Sequence, residues 1–272
     1  MWDDRQTQIV DTLCTDGIAA YPGLVSPERC ATLLEAVGRS RLAPSGHYRC
    51  LSPVGAPRLE SDLFRWRDIP EIRSLVTDPA LVEVAGAYLG TDDPVVLEDQ
   101  WFWSQEGSAT ESPWHQDEPY HPLDRPFLTV WIPLTPVPPG LGLRGVVGSH
   151  EREVYAPIEF SAQERTLSEE NISLDPVPDV DADPVTYRVV DPAGGVGDAV
   201  LLDSRTLHAA GGPCTADFVR LSIRYAHPDT ARRGRPWPTA TFWEEWHWTD
   251  GDRLPAAGFP RTSALVTLAE SA

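Results

Sequence analysis

His115-Gln116-Asp117, within Trp114-His115-Gln116-Asp117-Glu118-Pro119-Tyr120, sets an imidazole and a carboxylate two residues apart. On an extended segment side chains alternate faces with period two, so both groups would point the same way. One more imidazole would complete three protein ligands on one face of a metal. That set leaves the opposite face open and suits iron(II) and dioxygen. Of the seven histidines, His208 is best placed. The strand-like run Asp198-Ala199-Val200-Leu201-Leu202 leads through a turn to it, and Gly211-Gly212-Pro213 follows. A histidine just past such a strand can face the same cavity as His115. Arg220 lies twelve residues further on, in the strand-like run Val219–Tyr225. An adjacent antiparallel strand would return its guanidinium to the cavity, where it can grip a carboxylate through two parallel hydrogen bonds. A lone H-x-D or a lone histidine arises by chance; the ordered set carries the signal.

The elements that must hold these groups follow from periodicity. Residues 3–14 carry apolar positions at helical spacing, and Gly17–Tyr21 reads as a short strand. Ser26-Pro27-Glu28 opens a helix to about Arg39 with a capping residue, a proline at the first turn and an acid. Residues 42–66 read as a polar loop. Pro70–Leu89 reads as one or two helices, broken at Asp78-Pro79 and ended by Gly90. From Pro94 the period changes to that of strands: 94–103, 127–134, 145–147, 187–190, 198–202 and 219–225. Helices followed by many short strands predict a mainly β fold with flanking helices and a jelly-roll or cupin-like core. The chain is expected to form a single domain over 1–272, with an N-terminal helical part at 1–90. Residues 151–184, with ten acids and two arginines, read as an insertion that is either a lid or a solvated loop. The aromatic-rich tail from Pro228 is expected to pack over the barrel.

At this point the sequence resembles a known family, the phytanoyl-CoA dioxygenase family of iron(II)- and 2-oxoglutarate-dependent oxygenases. The shared features are Trp114-His115-Gln116-Asp117, Leu128-Thr129-Val130-Trp131-Ile132-Pro133-Leu134, Val147-Gly148-Ser149-His150, Gly197-Asp198 through His208, and Arg220-Leu221-Ser222-Ile223-Arg224-Tyr225. They span roughly residues 10 to 228. The resemblance implies a double-stranded β-helix with helices outside it. It implies that His115, Asp117 and His208 ligate Fe(II) and that Arg220 holds the distal carboxylate of 2-oxoglutarate, with O2 as the third reactant. Trp131 falls where the family has an aromatic beside the cosubstrate. Some members place a hydroxyl after the distal histidine; Ala209-Ala210 offer none, so Thr129 or another group would substitute. Val147-Gly148 departs from the Pro-Gly of many members, which touches the local turn and not the metal. Related halogenases carry a small residue in place of the carboxylate, so Asp117 argues against halogenation.

Other residues carry open readings. Arg224 alternates with Arg220 on one face; it either binds a second carboxylate or pairs with an acid such as Asp203. Tyr120-His121 either line the cavity mouth or form a plain loop. On the strand at 94–103, Trp101 and Trp103 are favoured over Gln100 as the face that meets substrate. His150 and the remaining histidines read as structural.

Composition narrows the partners. All 22 basic residues are Arg, and 41 acids give a formal charge of −19. Such a surface argues against nucleic acid and anionic membranes, and the absence of Lys excludes lysine Schiff-base chemistry. Four cysteines without close spacing read as reduced thiols. With no apolar leader at Met1-Trp2-Asp3-Asp4-Arg5, a cytoplasmic protein is expected. The Arg, Ala and Pro richness suits a GC-rich bacterial genome. The expected function is an iron(II)/2-oxoglutarate dioxygenase that hydroxylates, cyclises or desaturates a small molecule, in the setting of bacterial secondary metabolism such as antibiotic biosynthesis. The alternatives are another metal-dependent cupin enzyme such as an isomerase, or a non-catalytic cupin-like binding protein.

Overall fold

A computed structural model describes residues 4–158, 173–192 and 194–270. Its elements in chain order are α1 (Asp4–Asp16), β1 (Ile18–Tyr21), α2 (Pro27–Leu42), β2 (Arg49–Cys50), β3 (Leu59–Leu63), α3 (Pro70–Val76), α4 (Pro79–Leu89), β4 (Val95–Ser104), β5 (Glu111–His115), β6 (Leu128–Pro133), β7 (Arg144–Val146), β8 (Val189–Val190), β9 (Ala199–Asp203), β10 (His208–Gly211), β11 (Phe218–Ala226) and α5 (Thr262–Glu270). The punctuation acts as expected. Ser26 Oγ accepts from the Arg29 amide at α2, Asp78 caps α4 through the Ala80 amide, and Gly90 ends α4 at φ 74°, a conformation costly for any residue with a Cβ.

Two antiparallel sheets build the double-stranded β-helix. The larger runs β1-β9-β6-β11-β4-β3-β2 and the smaller β5-β10-β7-β8. Strand alternation splits the large sheet's residues between two environments. Leu128, Val130 and Ile132 of β6, Leu221 and Ile223 of β11 and Trp101 of β4 join the buried faces of α1 to α4 in one core. The opposite side chains face the small sheet, where Ile18, Trp131, Leu143, Val200, Leu202 and Phe218 form a second cluster. At Gly145 of β7 a Cβ would come within 2.5 Å of Ile18 Cδ1, so the close approach of the two sheets there requires glycine.

Two expectations are corrected. Residues 42–66 contain β2 and β3, and the N-terminal part contributes three strands (β1, β2, β3) to the large sheet. β3 reads as polar because Glu60 and Asp62 lie on it, yet all five of its residues are buried. The charges are matched: Arg41 and Tyr48 hold Glu60, and Arg65 pairs with Asp62 at 2.7 Å. The tail packs over the barrel, where Trp243 and Phe259 bury Val95, Leu97 and Phe127, and it ends in a helix, α5, that periodicity did not reveal. Of the insertion, residues 159–172 lie outside the described residues. Its described limbs join through Ala156 N–H to Asp175 C=O, and Val180 is buried against Val146 and Leu207. No helix among the described residues is long and apolar enough to cross a membrane.

Candidate active site

The small sheet delivers both imidazoles. His115 ends β5 and His208 opens β10, and the two are directly paired in the antiparallel ladder. Their ring centroids are 4.1 Å apart. His208 is therefore the first residue of its own strand and not simply a residue past β9. Each ring is oriented by the chain two residues before it. Nδ1 of His115 lies 2.7 Å from the Pro113 carbonyl, and Nδ1 of His208 lies 2.9 Å from the Thr206 carbonyl. A carbonyl only accepts, so Nδ1 carries the proton and Nε2 presents its lone pair to the cavity.

Asp117 reaches the same point by a different route. The extended geometry expected for it is absent: φ −73° and ψ −35° place it in a right-handed turn that leads into Glu118–Tyr120. Pro119 and Pro122 further along this stretch have no N–H to give to a ladder. The turn still brings Asp117 Oδ1 to 3.8 Å from His115 Nε2 and 3.9 Å from His208 Nε2. Those separations are too long for hydrogen bonds and short enough for one ion to bridge all three. The three residues are buried and form a group able to hold a metal ion.

Protonation favours metal binding. Burial, then the neighbouring His208, depresses His115 to about 3, and burial lowers His208 as well. Both are neutral ligands near pH 7. Burial opposes the Asp117 charge, but Arg224 and the two imidazoles overcome it and hold the carboxyl well below the usual range. The donor set is thus two neutral imidazoles and one carboxylate, which fits Fe(II).

The large sheet supplies the surroundings. Arg224 Nε and Nη2 reach the two Asp117 oxygens at 3.1 and 3.2 Å, and its Nη1 reaches Glu98 at 2.6 Å. Arg224 thus pairs with acids, but with Asp117 and Glu98 and not with Asp203, which is occupied by the Tyr88 hydroxyl. Thr129 donates its hydroxyl to Asp117 Oδ2 at 2.9 Å, so its proton is committed to that carboxylate. Arg220 lies four residues before Arg224 on the same face of β11, about 13 Å away along the strand at roughly 3.3 Å per residue. It is 4% exposed, makes no ion pair among the described residues, and donates to Ser104 Oγ at 2.9 Å. Phe102 and Phe218 pack on its guanidinium at 4.9 and 5.2 Å. Burial without a carboxylate pulls it down to about 10. Trp131 lines the same cavity.

Trp101 and Trp103 are placed away from the cavity. Trp101 is fully buried and donates to Ser40 Oγ of α2, while Trp103 donates to Asp217 and carries Arg41 over its ring at 4.7 Å. The register explains it: Arg224, Ser222 and Arg220 oppose Glu98, Gln100 and Phe102, so the even-numbered residues of β4 share the arginines' face. Four residues on the arginines' face were thereby missed or set aside, Glu98, Gln100, Phe102 and Ser222, of which Phe102 and Ser222 line the cavity. The parity of Arg220 was the available signal. Tyr120 stands edge-on to His115 at 6.3 Å, and its hydroxyl bonds both backbone groups of Ile158. Gln116 holds Glu153 and Tyr155. The start of the insertion is therefore fastened beside His115 and Asp117.

Fold and site together define an iron(II)- and 2-oxoglutarate-dependent oxygenase, an enzyme class that uses a buried His-Asp-His set inside a double-stranded β-helix. A family model, Phytanoyl-CoA dioxygenase (PhyH), matches residues 13–221, and the chain belongs to that family. No curated protein sequence matches it. Among solved structures, the epimerase SnoN in complex with Fe3+, alpha ketoglutarate and nogalamycin RO is 17% identical, with a TM-score of 0.75 over 95% of this chain and 98% of that one. The carbocyclase SnoK from nogalamycin biosynthesis is 22% identical, with a TM-score of 0.72 over 93% and 95%. EctD from S. alaskensis, solved with 2-oxoglutarate and 5-hydroxyectoine, is 19% identical, with a TM-score of 0.67 over 89% and 83%. At these identities the likeness establishes a shared fold.

Proposed function

We propose that the protein oxidises an unactivated carbon of a small molecule of secondary metabolism, by hydroxylation or by a related outcome such as ring closure or desaturation. In this reading His115 Nε2, His208 Nε2 and the Asp117 carboxylate hold Fe(II), and Arg220 grips the distal carboxylate of 2-oxoglutarate beside Trp131. When bound, iron and 2-oxoglutarate supply dioxygen activation coupled to decarboxylation to succinate, and with it hydrogen removal from a substrate carbon. The chain's own contribution is orientation and exclusion of water. Arg224 and Thr129 keep Asp117 ionised and fixed; Phe102, Trp131 and Leu202 line a dry cavity. Ser222, between the two arginines, adds a hydroxyl to the cosubstrate's side. Substrate meets Gln100, whose amide donates to Ser61 at 2.8 Å, and Tyr120.

The observation that carries this reading is Arg220: a buried cation without an ion pair among the described residues, in one cavity with a candidate metal-binding triad, calls for an anionic ligand. The fold likeness to an epimerase and a carbocyclase supports a small-molecule substrate and a range of outcomes. The test is succinate formation from 2-oxoglutarate with Fe(II) and O2, stimulated by candidate substrates. Product masses separate oxygen insertion from loss of hydrogen or an unchanged mass. His115→Ala is expected to abolish iron binding and turnover; retention of both by the purified variant refutes the assignment.

A further inference from the structure

The two histidine ligands are held by the ladder between β5 and β10, but Asp117 has left it. Arg224 and Thr129 hold its carboxylate, while the backbone that follows it is held from the far end of the chain. Five consecutive carbonyls after it accept hydrogen bonds from residues 233–240: Pro119 from Trp237 Nε1 at 2.9 Å, Tyr120 from Ala240 N at 3.0 Å, His121 from Arg235 Nε at 3.1 Å, Pro122 from Arg233 N at 2.8 Å and Leu123 from Arg235 Nη2 at 2.8 Å. Arg235 also pairs with Glu118 at 2.6 Å. This stretch lies beyond the residues that match the family model, which end at 221.

The contacts lead back to the ligand. His121 Nδ1 donates to the Asp117 carbonyl at 2.9 Å, and the His121 ring is packed against Phe127 and Trp243 at 4.5 and 5.3 Å. Arg235 therefore holds the backbone of the residue whose side chain holds the backbone of Asp117. Pro119 and Pro122 offer no N–H for a ladder, while the carbonyls around them still need donors. The tail provides those donors. Metal ligands must be held to within roughly 0.5 Å, and for a turn residue outside a sheet the backbone needs partners of this kind beside those that hold the side chain.

We propose that residues 233–240 form a strap that positions Asp117 for metal binding, with Arg235 as its chief positioning residue. The proposal rests on the reading of His115, Asp117 and His208 as iron ligands. It is tested on the full chain by anaerobic Fe(II) titration calorimetry with 2-oxoglutarate present. Arg235→Ala is expected to weaken iron about 10- to 100-fold, the range for outer partners of metal ligands. Arg235→Lys, which keeps the charge opposite Glu118 but not the fork to two carbonyls, should recover part of the loss. Arg232→Ala is the control, because the Arg232 side chain pairs with Asp250 and lies over Trp248, away from the metal loop; it should bind iron as the wild type does. Wild-type affinity in a folded Arg235→Ala protein, or an equal loss in Arg232→Ala, overturns the strap. If Arg235→Ala does not fold, Trp237→Phe removes only the donor to Pro119; it should weaken iron a few-fold, and an unchanged affinity overturns the proposal. If the wild type binds no iron, the ligand reading has failed, and the strap is judged by hydrogen exchange at Tyr120 and His121. Exchange should then be faster in Arg235→Ala than in Arg232→Ala, and equal rates overturn it.

Discussion

Arg220 and Arg224 share one strand, one face and near-complete burial, yet their surroundings are opposite. Arg224 is saturated by the protein, with Asp117, Glu98 and Gln100 all accepting from it. Burial opposes its charge, but those carboxylates raise it above an ordinary arginine. Arg220 has a serine hydroxyl and two aromatic rings, and burial alone lowers it. A buried charge with internal partners belongs to the architecture. A buried charge without them costs stability unless something else arrives. In the proposed reading, the contrast separates the residue that holds Asp117 from the residue that receives the cosubstrate's carboxylate.

The largest effect expected from this contrast is on folding. Arg224→Met leaves Asp117 and Glu98 buried without their counterion and should cost about 3–5 kcal/mol, read by denaturant titration of the metal-free protein. A loss below about 1 kcal/mol, the range of exposed pairs, would place Arg224 outside the architecture. Arg220→Met should act with the opposite sign on the metal-free protein, raising its melting temperature, because it removes a charge with no ion-pair partner among the described residues. Its cost falls on the cosubstrate instead: loss of a charged hydrogen-bonding partner, about 1.5–3 kcal/mol, weakens 2-oxoglutarate roughly tenfold to a hundredfold. Wild-type protein should gain about 2.7 kcal/mol at a cosubstrate concentration 100 times its dissociation constant, and Arg220→Met at that concentration should gain far less. If the two variants destabilise alike, the contrast fails.

How legible this was in the sequence depends on which kind of interaction sets each feature. Ser26-Pro27, Asp78-Pro79 and Gly90 marked the helix ends because capping is local. His115, Asp117, His208 and Arg220 were legible as an ordered set. The face of β4 was not. Both of its faces are buried and both carry aromatics, so Trp101 and Phe102 look alike until the register with β11 is known. β3 was hidden because its acids are paired by Arg41 and Arg65, residues outside the strand itself. The partner of Arg224 was open for the same reason, and the strap left no trace because backbone carbonyls have no sequence signature.

A third test reads the contrast through pH. His115 titrates near 3 in the folded chain and near 6.5 unfolded; His208 is lowered in the same direction. Between those values the unfolded chain binds protons that the native one excludes. Metal-free stability contributed by these groups is therefore present above about 6.5 and lost as pH falls toward 3, at up to about 1.4 kcal/mol per pH unit for each proton. Behind burial, which acts first, Arg224 is among the causes that depress both histidines; Arg220 is among the causes for neither. Removing Arg224 should raise the lower edge of that window, and removing Arg220 should leave it in place. Urea titrations at stepped pH would show this, and an equal shift in both variants would contradict it.

The smallest effect isolates Ser222. Its side chain faces the cavity between the two arginines, opposite Gln100 and Trp131, and its hydroxyl has no hydrogen-bond partner among the described residues. If it belonged to the Arg224 network, Ser222→Ala would lower stability, because a partner would be stranded. If it serves the Arg220 side, stability should stay within about 0.5 kcal/mol, and 2-oxoglutarate should weaken by about 0.5–1.5 kcal/mol, the worth of one neutral hydrogen bond. Calorimetric titration of cosubstrate, set beside a melting curve, distinguishes the two. An unchanged affinity would mean that Arg220 grips the carboxylate without help from its own strand. The hydroxyl missing at Ala209-Ala210 would then have to be replaced from elsewhere in the cavity, since Thr129 has committed its proton to Asp117.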